Sequence, residues 1–89
     1  MLYMIINRTR PGLGQGELED LGRIAQDFYD NVPTGITLHG DWTALDYSRT
    51  FALLETEHEA LLDQVQTPFR KYVDMEVIPV AAVSGWGRR

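Results

Sequence analysis

Apolar residues along the chain fall into blocks whose spacing differs from one block to the next. The first block, Leu2 to Ile6, is rich in strand-forming residues and stops at a polar run before Pro11 and Gly12. This pattern predicts a strand that enters a loop. From Glu17 to about Tyr29, apolar residues recur every three or four positions, at Leu18, Leu21, Ile24, Ala25 and Phe28. That spacing predicts a helix with one apolar side.

The segment from Ile36 to Trp42 alternates with a period of two, which predicts a second strand. One face of this strand carries Ile36, Leu38, Gly40 and Trp42, and the other carries Thr37, His39 and Asp41. The extended apolar run from Phe51 to Leu54 predicts a third strand. The polar stretch between the two strands indicates a hairpin with a longer loop.

Thr56 to Glu59 has the pattern of a capping box, which predicts the start of a second helix. In this motif the Thr56 hydroxyl accepts a hydrogen bond from the Glu59 amide, and the Glu59 carboxylate accepts one from the Thr56 amide. The apolar side of the helix is supplied by Leu61, Leu62, Val65 and Phe69. Tyr72 to Val83 is predicted as the last strand, in which Pro79 favours a strand at the sheet edge or a position near the end of the strand.

The predicted order of elements is that of an α+β, ferredoxin-like βαββαβ domain. This arrangement places two helices on one face of an antiparallel four-stranded sheet and leaves the other face bare. Both sides of the first strand are apolar, with Met4 and Ile6 on one and Tyr3 and Ile5 on the other, whereas a sheet with one solvated face alternates apolar and polar residues. We therefore predict one domain over residues 1–89 whose bare face is covered by a second copy, with residues 84–89 as a flexible or partner-contacting tail.

Composition and charge narrow the classes of function. A length of 89 residues and a hydrophobic fraction of 44% are typical of one small globular domain. The net charge of −5, with scattered basic residues, argues against nucleic-acid binding. The first apolar run is too short for a signal peptide or a membrane span, and the absence of cysteine is compatible with a reducing compartment. We expect a cytoplasmic protein without a nucleic-acid or membrane partner.

Several segments of the sequence resemble one group of bacterial proteins. The segments are Met1 to Ile6 with Pro11-Gly12, Trp42 at the end of the second strand, Phe51 to Thr56, and Val73 to Val80. Over almost the whole chain they resemble short bacterial proteins of the dimeric α+β barrel superfamily, and more narrowly an uncharacterised domain-of-unknown-function family within it. The resemblance implies a homodimer whose two sheets form a barrel. Relatives in the superfamily include antibiotic-biosynthesis-type monooxygenases, muconolactone isomerases, dye-decolorising and heme-degrading enzymes, and proteins without known activity.

The interior of that barrel is the predicted small-molecule site. The helix-facing side of the sheet is assigned to Met4, Ile6, Ile36, Leu38, Ala52, Leu54 and Val77. The opposite side, which lines the barrel, is assigned to Tyr3, Ile5, Asn7, Thr37, His39, Asp41, Phe51, Leu53, Glu55, Glu76 and Ile78, although a one-residue slip would exchange the two sets. A partly apolar cavity with a few convergent polar groups is the usual form of a ligand site. The predicted ligand pocket consists of Tyr3, Asn7, His39, Asp41, Trp42, Phe51, Glu55 and Glu76.

Two functions are compatible with this pocket. The first is a module that binds a small, aromatic or lipid-like metabolite. The second, which rests on the resemblance, is a cofactor-independent monooxygenase- or isomerase-like enzyme with His39 as the acid or base and a desolvated Glu55 or Glu76 nearby. An enzyme requires His39 to lie in an enclosed cavity beside a carboxylate, whereas a binding module tolerates His39→Gln.

A plainer alternative stays open for the same residues. His39 and Asp41 are then exposed near the hairpin, Glu55 belongs to the loop before the second helix, and side chains fill the barrel, so that the protein works through its surface. No other motif adds a site. His39 and His58 lack a metal-ligand spacing, and the glycines from Gly12 to Gly16 lack the spacing of a nucleotide loop. We predict neither a metal nor a cofactor.

Overall fold

The computed structural model describes residues 1–83, and it confirms the predicted order of elements. The elements are β1 (Leu2–Thr9), α1 (Gln15–Asp30), β2 (Thr37–Thr43), β3 (Thr50–Glu55), α2 (Glu59–Gln66) and β4 (Val73–Val80), with a 3-10 helix (Thr67–Phe69) after α2. The fold is ferredoxin-like. The predicted tail at residues 84–89 lies outside the described part of the chain.

The four strands form one antiparallel sheet in the order β2-β3-β1-β4. β1 lies in the middle and pairs with both β3 and β4. β4 is an edge strand, so Pro79 needs no amide donor for a neighbour on its outer side. Both helices pack against the same face of the sheet, where the buried core consists of Tyr3, Ile5, Ile36, Leu54 and Leu62.

The two faces of β1 are the reverse of those predicted. Tyr3 and Ile5 are buried under the helices, because the register pairs them with Leu54 and Ala52, which face the same way. Met4 and Ile6 therefore lie on the side away from the helices, here called the open face, which carries Leu2, Met4, Ile6, Phe51, Leu53 and Ile78. Alternation could not orient β1, because both of its sides are apolar.

A β-bulge in β2 changes the faces of the residues that follow it. Leu38 pairs with Leu54, but the next paired residue, Gly40, is opposite Leu53, so His39 is the extra residue. From the bulge onward, the alternation is shifted by one position. Trp42 is consequently opposite Phe51 on the open face and does not share a face with Leu38. Asp41 is opposite Ala52 on the helix side, which reverses the prediction for Asp41.

The predicted capping box before the second helix is wrong. α2 begins at Glu59 after His58, and the Thr56 hydroxyl accepts its hydrogen bond from the His58 amide at 3.1 Å. The Thr56 amide donates to the Met1 carbonyl at 3.1 Å instead of to Glu59. The Glu59 carboxylate is occupied elsewhere, since it accepts a hydrogen bond from the Tyr3 hydroxyl at 3.1 Å. The chain entering α2 is thus tied to β1.

Within residues 1–83, neither helix has the length and apolar character needed to cross a membrane.

Candidate functional site

A cavity of about 360 Å³ lies between the sheet and the helices, at the end of the sheet where β1 ends. We call it the interlayer cavity. The sheet contributes Ile5, Asn7, Thr9, Thr50, Ala52, Leu54, Val73 and Met75 to its wall. The helical layer contributes Leu21, Ala25, Phe28, Tyr29, Val65 and Phe69. Its position on the helix side of the sheet differs from the predicted position on the open face.

Small side chains and a loosely packed helix account for the cavity. No residue of α1 is fully buried, and Leu18 on its apolar stripe is 49% exposed. Ala25 on α1 and Ala52 on β3 line the cavity from the two layers, and neither reaches far enough to fill the gap. Larger side chains close the layers further along, where Leu62 packs against Tyr3 and Leu54.

The wall is mostly apolar, and Asn7 is its distinctive polar group. The Asn7 Nδ2 group donates to the Thr50 hydroxyl at 3.2 Å. The Asn7 Oδ1 atom is buried and has no hydrogen-bond partner among the described residues. An unpaired buried acceptor of this kind costs about 1–3 kcal/mol. A ligand that donates a hydrogen bond at this point would supply the partner.

Tyr29 and Asp41 meet at the margin of the interlayer cavity. Tyr29 comes from the last turn of α1 and lines the cavity, and Asp41 comes from β2 after the bulge. Burial raises the pKa of Tyr29 to about 12, and the neighbouring Asp41 carboxylate raises it further. At neutral pH the Tyr29 hydroxyl is therefore a protonated hydrogen-bond donor.

The β2–β3 loop forms another part of the cavity margin. Tyr47, Ser48 and Arg49 line it, and Tyr47 has a φ of 61°, a conformation that non-glycine residues rarely adopt. The Asp46 carboxylate holds the turn by accepting from the Ser48 hydroxyl at 2.7 Å and the Ser48 amide at 3.0 Å. These hydrogen bonds lower the pKa of Asp46.

The structure divides the predicted pocket residues between the two faces of the sheet. The strand register places Trp42, Phe51, Glu55 and Glu76 on the open face. The contact of His39 with Glu55 places His39 on the same face. Tyr3, Asn7 and Asp41 lie on the helix side. Of these three, only Asn7 lines the interlayer cavity.

His39 and Glu55 form the best-defined polar contact on the open face. The His39 Nε2 atom lies 2.7 Å from the Glu55 Oε1 atom, and both side chains are partly exposed to solvent. The bulge places His39 toward Glu55, which belongs to β3 and not to the loop before α2. The carboxylate that an acid or base needs is present, but the enclosure is not present in the single chain.

The remaining predicted pocket residues are described by their contacts and exposure. The Trp42 indole lies across Gly40, where a Cβ atom would come within 2.9 Å of the ring, and it is 55% exposed. The Arg49 guanidinium lies 5.6 Å from the centre of the Phe51 ring. Glu76 is exposed opposite Ile6. Tyr3 is buried, and burial together with the Glu59 carboxylate raises its pKa.

Sequence reasoning named Asn7 as a pocket residue but missed the other side chains that line the interlayer cavity. Asn7 carried the one available signal, because it is a polar residue on the same strand face as Tyr3 and Ile5. Tyr29, Ala25 and Met75 had no such signal, since each fits an ordinary amphipathic pattern. Among residues 1–83, no three His, Cys, Asp or Glu side chains are grouped so that they could hold a metal ion.

Comparisons with known proteins address the family and the fold. A model of the family described as Domain of unknown function (DUF3303) matches residues 1–88. No curated protein is detectably similar to the chain.

Solved structures share the fold at low sequence identity. A conserved protein from Methanosarcina mazei Go1 has a TM-score of 0.54 and 11% identity, covering 90% of this chain and 92% of its own. A protein from Streptomyces coelicolor A3(2) has a TM-score of 0.52 and 14% identity, covering 92% and 100%. An uncharacterized NIPSNAP domain protein from Burkholderia xenovorans has a TM-score of 0.51 and 14% identity, covering 93% and 97%.

Proposed function

The chain belongs to the family described as Domain of unknown function (DUF3303), and we propose that it binds a small, flat, largely apolar molecule in the interlayer cavity. The observation that supports this proposal is the cavity itself. Its volume of about 360 Å³ falls within the usual range for small-molecule sites, roughly 300–1,000 Å³. Its wall combines apolar side chains with few polar groups, which is the usual composition of such sites.

The shape of the ligand follows from the wall. Phe28 and Phe69 approach each other edge to face on the helical side, with ring centres 6.4 Å apart. Ile5, Ala52 and Met75 form the facing part of the sheet. Two roughly parallel apolar layers suit a planar ring system better than a bulky or charged molecule, because an unpaired charge in this space would lose its hydration.

Filling the cavity with a side chain tests the proposal. We expect naphthalene to shift the backbone amide resonances of cavity-lining residues in two-dimensional NMR spectra. Ala25→Leu should weaken that binding by at least about tenfold, because the added carbons occupy the ligand's space. Ala60→Leu is the matched control, since Ala60 is exposed on α2 and does not line the cavity. Absence of naphthalene binding to the unmodified protein, or equal binding by the Ala25→Leu variant, would contradict the proposal.

We also propose that a second copy covers the open face. Leu2, Met4, Phe51 and Leu53 are only half-buried in the single chain, in a continuous apolar surface across adjacent strands. An exposed apolar sheet of this kind usually marks an association surface. A symmetric pair would bury the face of each copy against that of the other.

The mass of the protein in solution tests this association. The unmodified protein should have twice the mass of the chain by light scattering. Leu53→Lys should give a folded monomer, because it places a charge in the apolar surface. Gln64→Lys on α2 adds the same charge on an exposed helix and should leave the dimer intact. A monomeric unmodified protein would refute the association and leave the cavity proposal standing.

Acid or base catalysis by His39 is the second candidate function. The observation in its favour is the 2.7 Å contact between His39 and Glu55, a pairing that orients a histidine for proton transfer. The pair lies on the open face, so this function depends on the second copy to enclose it. A fold neighbour described as a candidate antibiotic biosynthesis monooxygenase, from Deinococcus radiodurans, supports this alternative by fold alone.

A further inference from the structure

We infer that Asn7 determines which apolar molecules the interlayer cavity accepts, by taking a hydrogen bond from a hydroxyl or N–H group on the ligand. This inference rests on the proposed function and adds to it the chemical class of the ligand, a planar aromatic molecule with one hydrogen-bond donor. The structure gives Asn7 an unusual position for an amide. It lies on β1 in the same face as the buried Tyr3 and Ile5.

One of the two polar atoms of the Asn7 side chain has a hydrogen-bond partner and the other has none among the described residues. Nδ2 is engaged by the Thr50 hydroxyl at 3.2 Å, whereas Oδ1 is buried and unpaired among the described residues. Nearly all buried polar side-chain atoms in proteins have a partner. Asn7 lines the interlayer cavity, so a ligand there can supply the partner that Oδ1 lacks among the described residues.

The neighbours of Asn7 restrict what the partner can be. On the adjacent strands Asn7 is opposite Thr50 and Met75, and all three line the cavity. No Lys, Asp or Glu side chain contributes to the cavity wall within the described residues, and Arg49 lies at the loop margin. A neutral donor such as a phenol hydroxyl therefore suits Oδ1 better than an ammonium group, whose charge would be left without a counter-ion.

Three ligands with the same ring system distinguish the contribution of the hydrogen bond to affinity from that of apolar contact. Naphthalene tests the cavity alone, 2-methoxynaphthalene adds an acceptor, and 2-naphthol adds a donor. We expect 2-naphthol to bind about tenfold more tightly than 2-methoxynaphthalene, as pairing of a buried acceptor predicts. Equal affinity of the two substituted ligands would show that Asn7 presents its nitrogen or nothing to the cavity, and would overturn the inference. Failure of all three to bind would instead overturn the proposed function.

The Asn7→Leu variant tests whether Asn7 is the residue that accepts the hydrogen bond from the ligand. The variant keeps the size of the side chain and removes the amide, so it should lose the preference for 2-naphthol over 2-methoxynaphthalene. Gln64→Leu is the matched control, because it removes an exposed amide from α2 and should retain the tenfold preference. A preference for 2-naphthol that survives Asn7→Leu would assign the hydrogen bond to another group and refute the inference.

A measurement on the unmodified protein provides a second test. The carbonyl carbon of the Asn7 side chain should shift in NMR spectra when 2-naphthol is added, because its oxygen gains a hydrogen bond. Naphthalene should shift that carbon much less than 2-naphthol does, because only its ring current acts there, while it still moves resonances of Ala25 and Ala52 on the opposing walls. An Asn7 carbonyl carbon that responds equally to both ligands would contradict a hydrogen bond to the naphthol hydroxyl.

Discussion

The hydroxyl of Tyr29 at the end of α1 lies near the carboxylate of Asp41 on β2, and this carboxylate helps to raise the pKa of Tyr29. This contact joins the helix to the edge of the sheet beside the interlayer cavity, and it depends on the bulge at His39. Without the extra residue in β2, the alternation of the strand would direct Asp41 to the open face. One irregularity of the sheet thus places Asp41 on the same side as Tyr29.

The titration of Tyr29 should be displaced to high pH. Burial and Asp41 raise its pKa from 10.0 to about 12. The absorbance of tyrosinate can be followed as the pH is raised in the unmodified protein and in Tyr29→Phe. The difference between the two titrations should be a single tyrosine that ionises near pH 12. Asp41→Asn should lower the pKa of Tyr29, although burial keeps it above the ordinary value. An unchanged titration in Asp41→Asn would disprove the contact.

The raised pKa of Tyr29 makes the free energy of unfolding depend on pH. The unfolded chain releases the Tyr29 proton near pH 10, whereas the folded protein holds it to about pH 12. The contribution of Tyr29 is therefore fully present below pH 10 and is lost as pH rises from 10 to about 12. Denaturation by urea at several pH values should show a smaller decline over this range for Tyr29→Phe than for the unmodified protein.

Replacing His39 should leave ligand binding in the interlayer cavity unchanged. His39 lies on the open face, and the sheet separates it from the cavity. His39→Gln should bind naphthalene within roughly twofold of the unmodified protein, as expected of a distant exposed substitution. Ala25→Leu, measured beside it, shows the loss that a change in the cavity produces. A tenfold loss in His39→Gln would place the ligand on the open face and favour the catalytic alternative.

Substitution by alanine should have opposite effects on the free energy of unfolding at Gly35 and at Gly22. Gly35 has a φ of +98°, and a Cβ atom there would lie 2.8 Å from Leu61 Cδ1. Gly35→Ala should lower the free energy of unfolding by about 1–2 kcal/mol through the strained backbone, with a further loss from the crowded Leu61. Gly22 lies within α1 with no atom near the position of an added Cβ. Gly22→Ala should raise the free energy of unfolding by about 0.5–1 kcal/mol.

Chemical denaturation of the two variants checks these signs. Equal midpoints for Gly35→Ala and the unmodified protein would mean that the turn before β2 does not require its left-handed conformation. Destabilisation by Gly22→Ala would mean that α1 packs more closely on its neighbours than the structure indicates.

The order of elements was predictable from sequence because it depends on local periodicity. The three- and four-residue spacing in α1 and the extended runs in β1 and β3 are properties of short segments, and each segment could bury its apolar residues in only one regular conformation. Pro79 also favoured an edge position for β4 or a place near the end of the strand, since it lacks the amide that a second neighbouring strand requires, and β4 is an edge strand.

The faces of the strands were decided only by tertiary pairing. β1 is apolar on both sides, so its pattern is equally satisfied with Tyr3 or Met4 under the helices. The choice is made by its register with β3, which places Tyr3 beside Leu54. The bulge at His39 is likewise a property of two paired strands, because an extra residue is defined only against the partner that it fails to match.

The candidate site likewise depends partly on local sequence and partly on tertiary structure. The sequence by itself determined that an amide, Asn7, would stand in a strand of apolar residues, but not which layer it would face. The cavity arises because Ala25 and Ala52, distant in sequence, come to lie on opposing layers and leave the space between them unfilled. Volume between layers is set by pairs of residues that meet only in the folded chain, and that is why only the tertiary structure could reveal it.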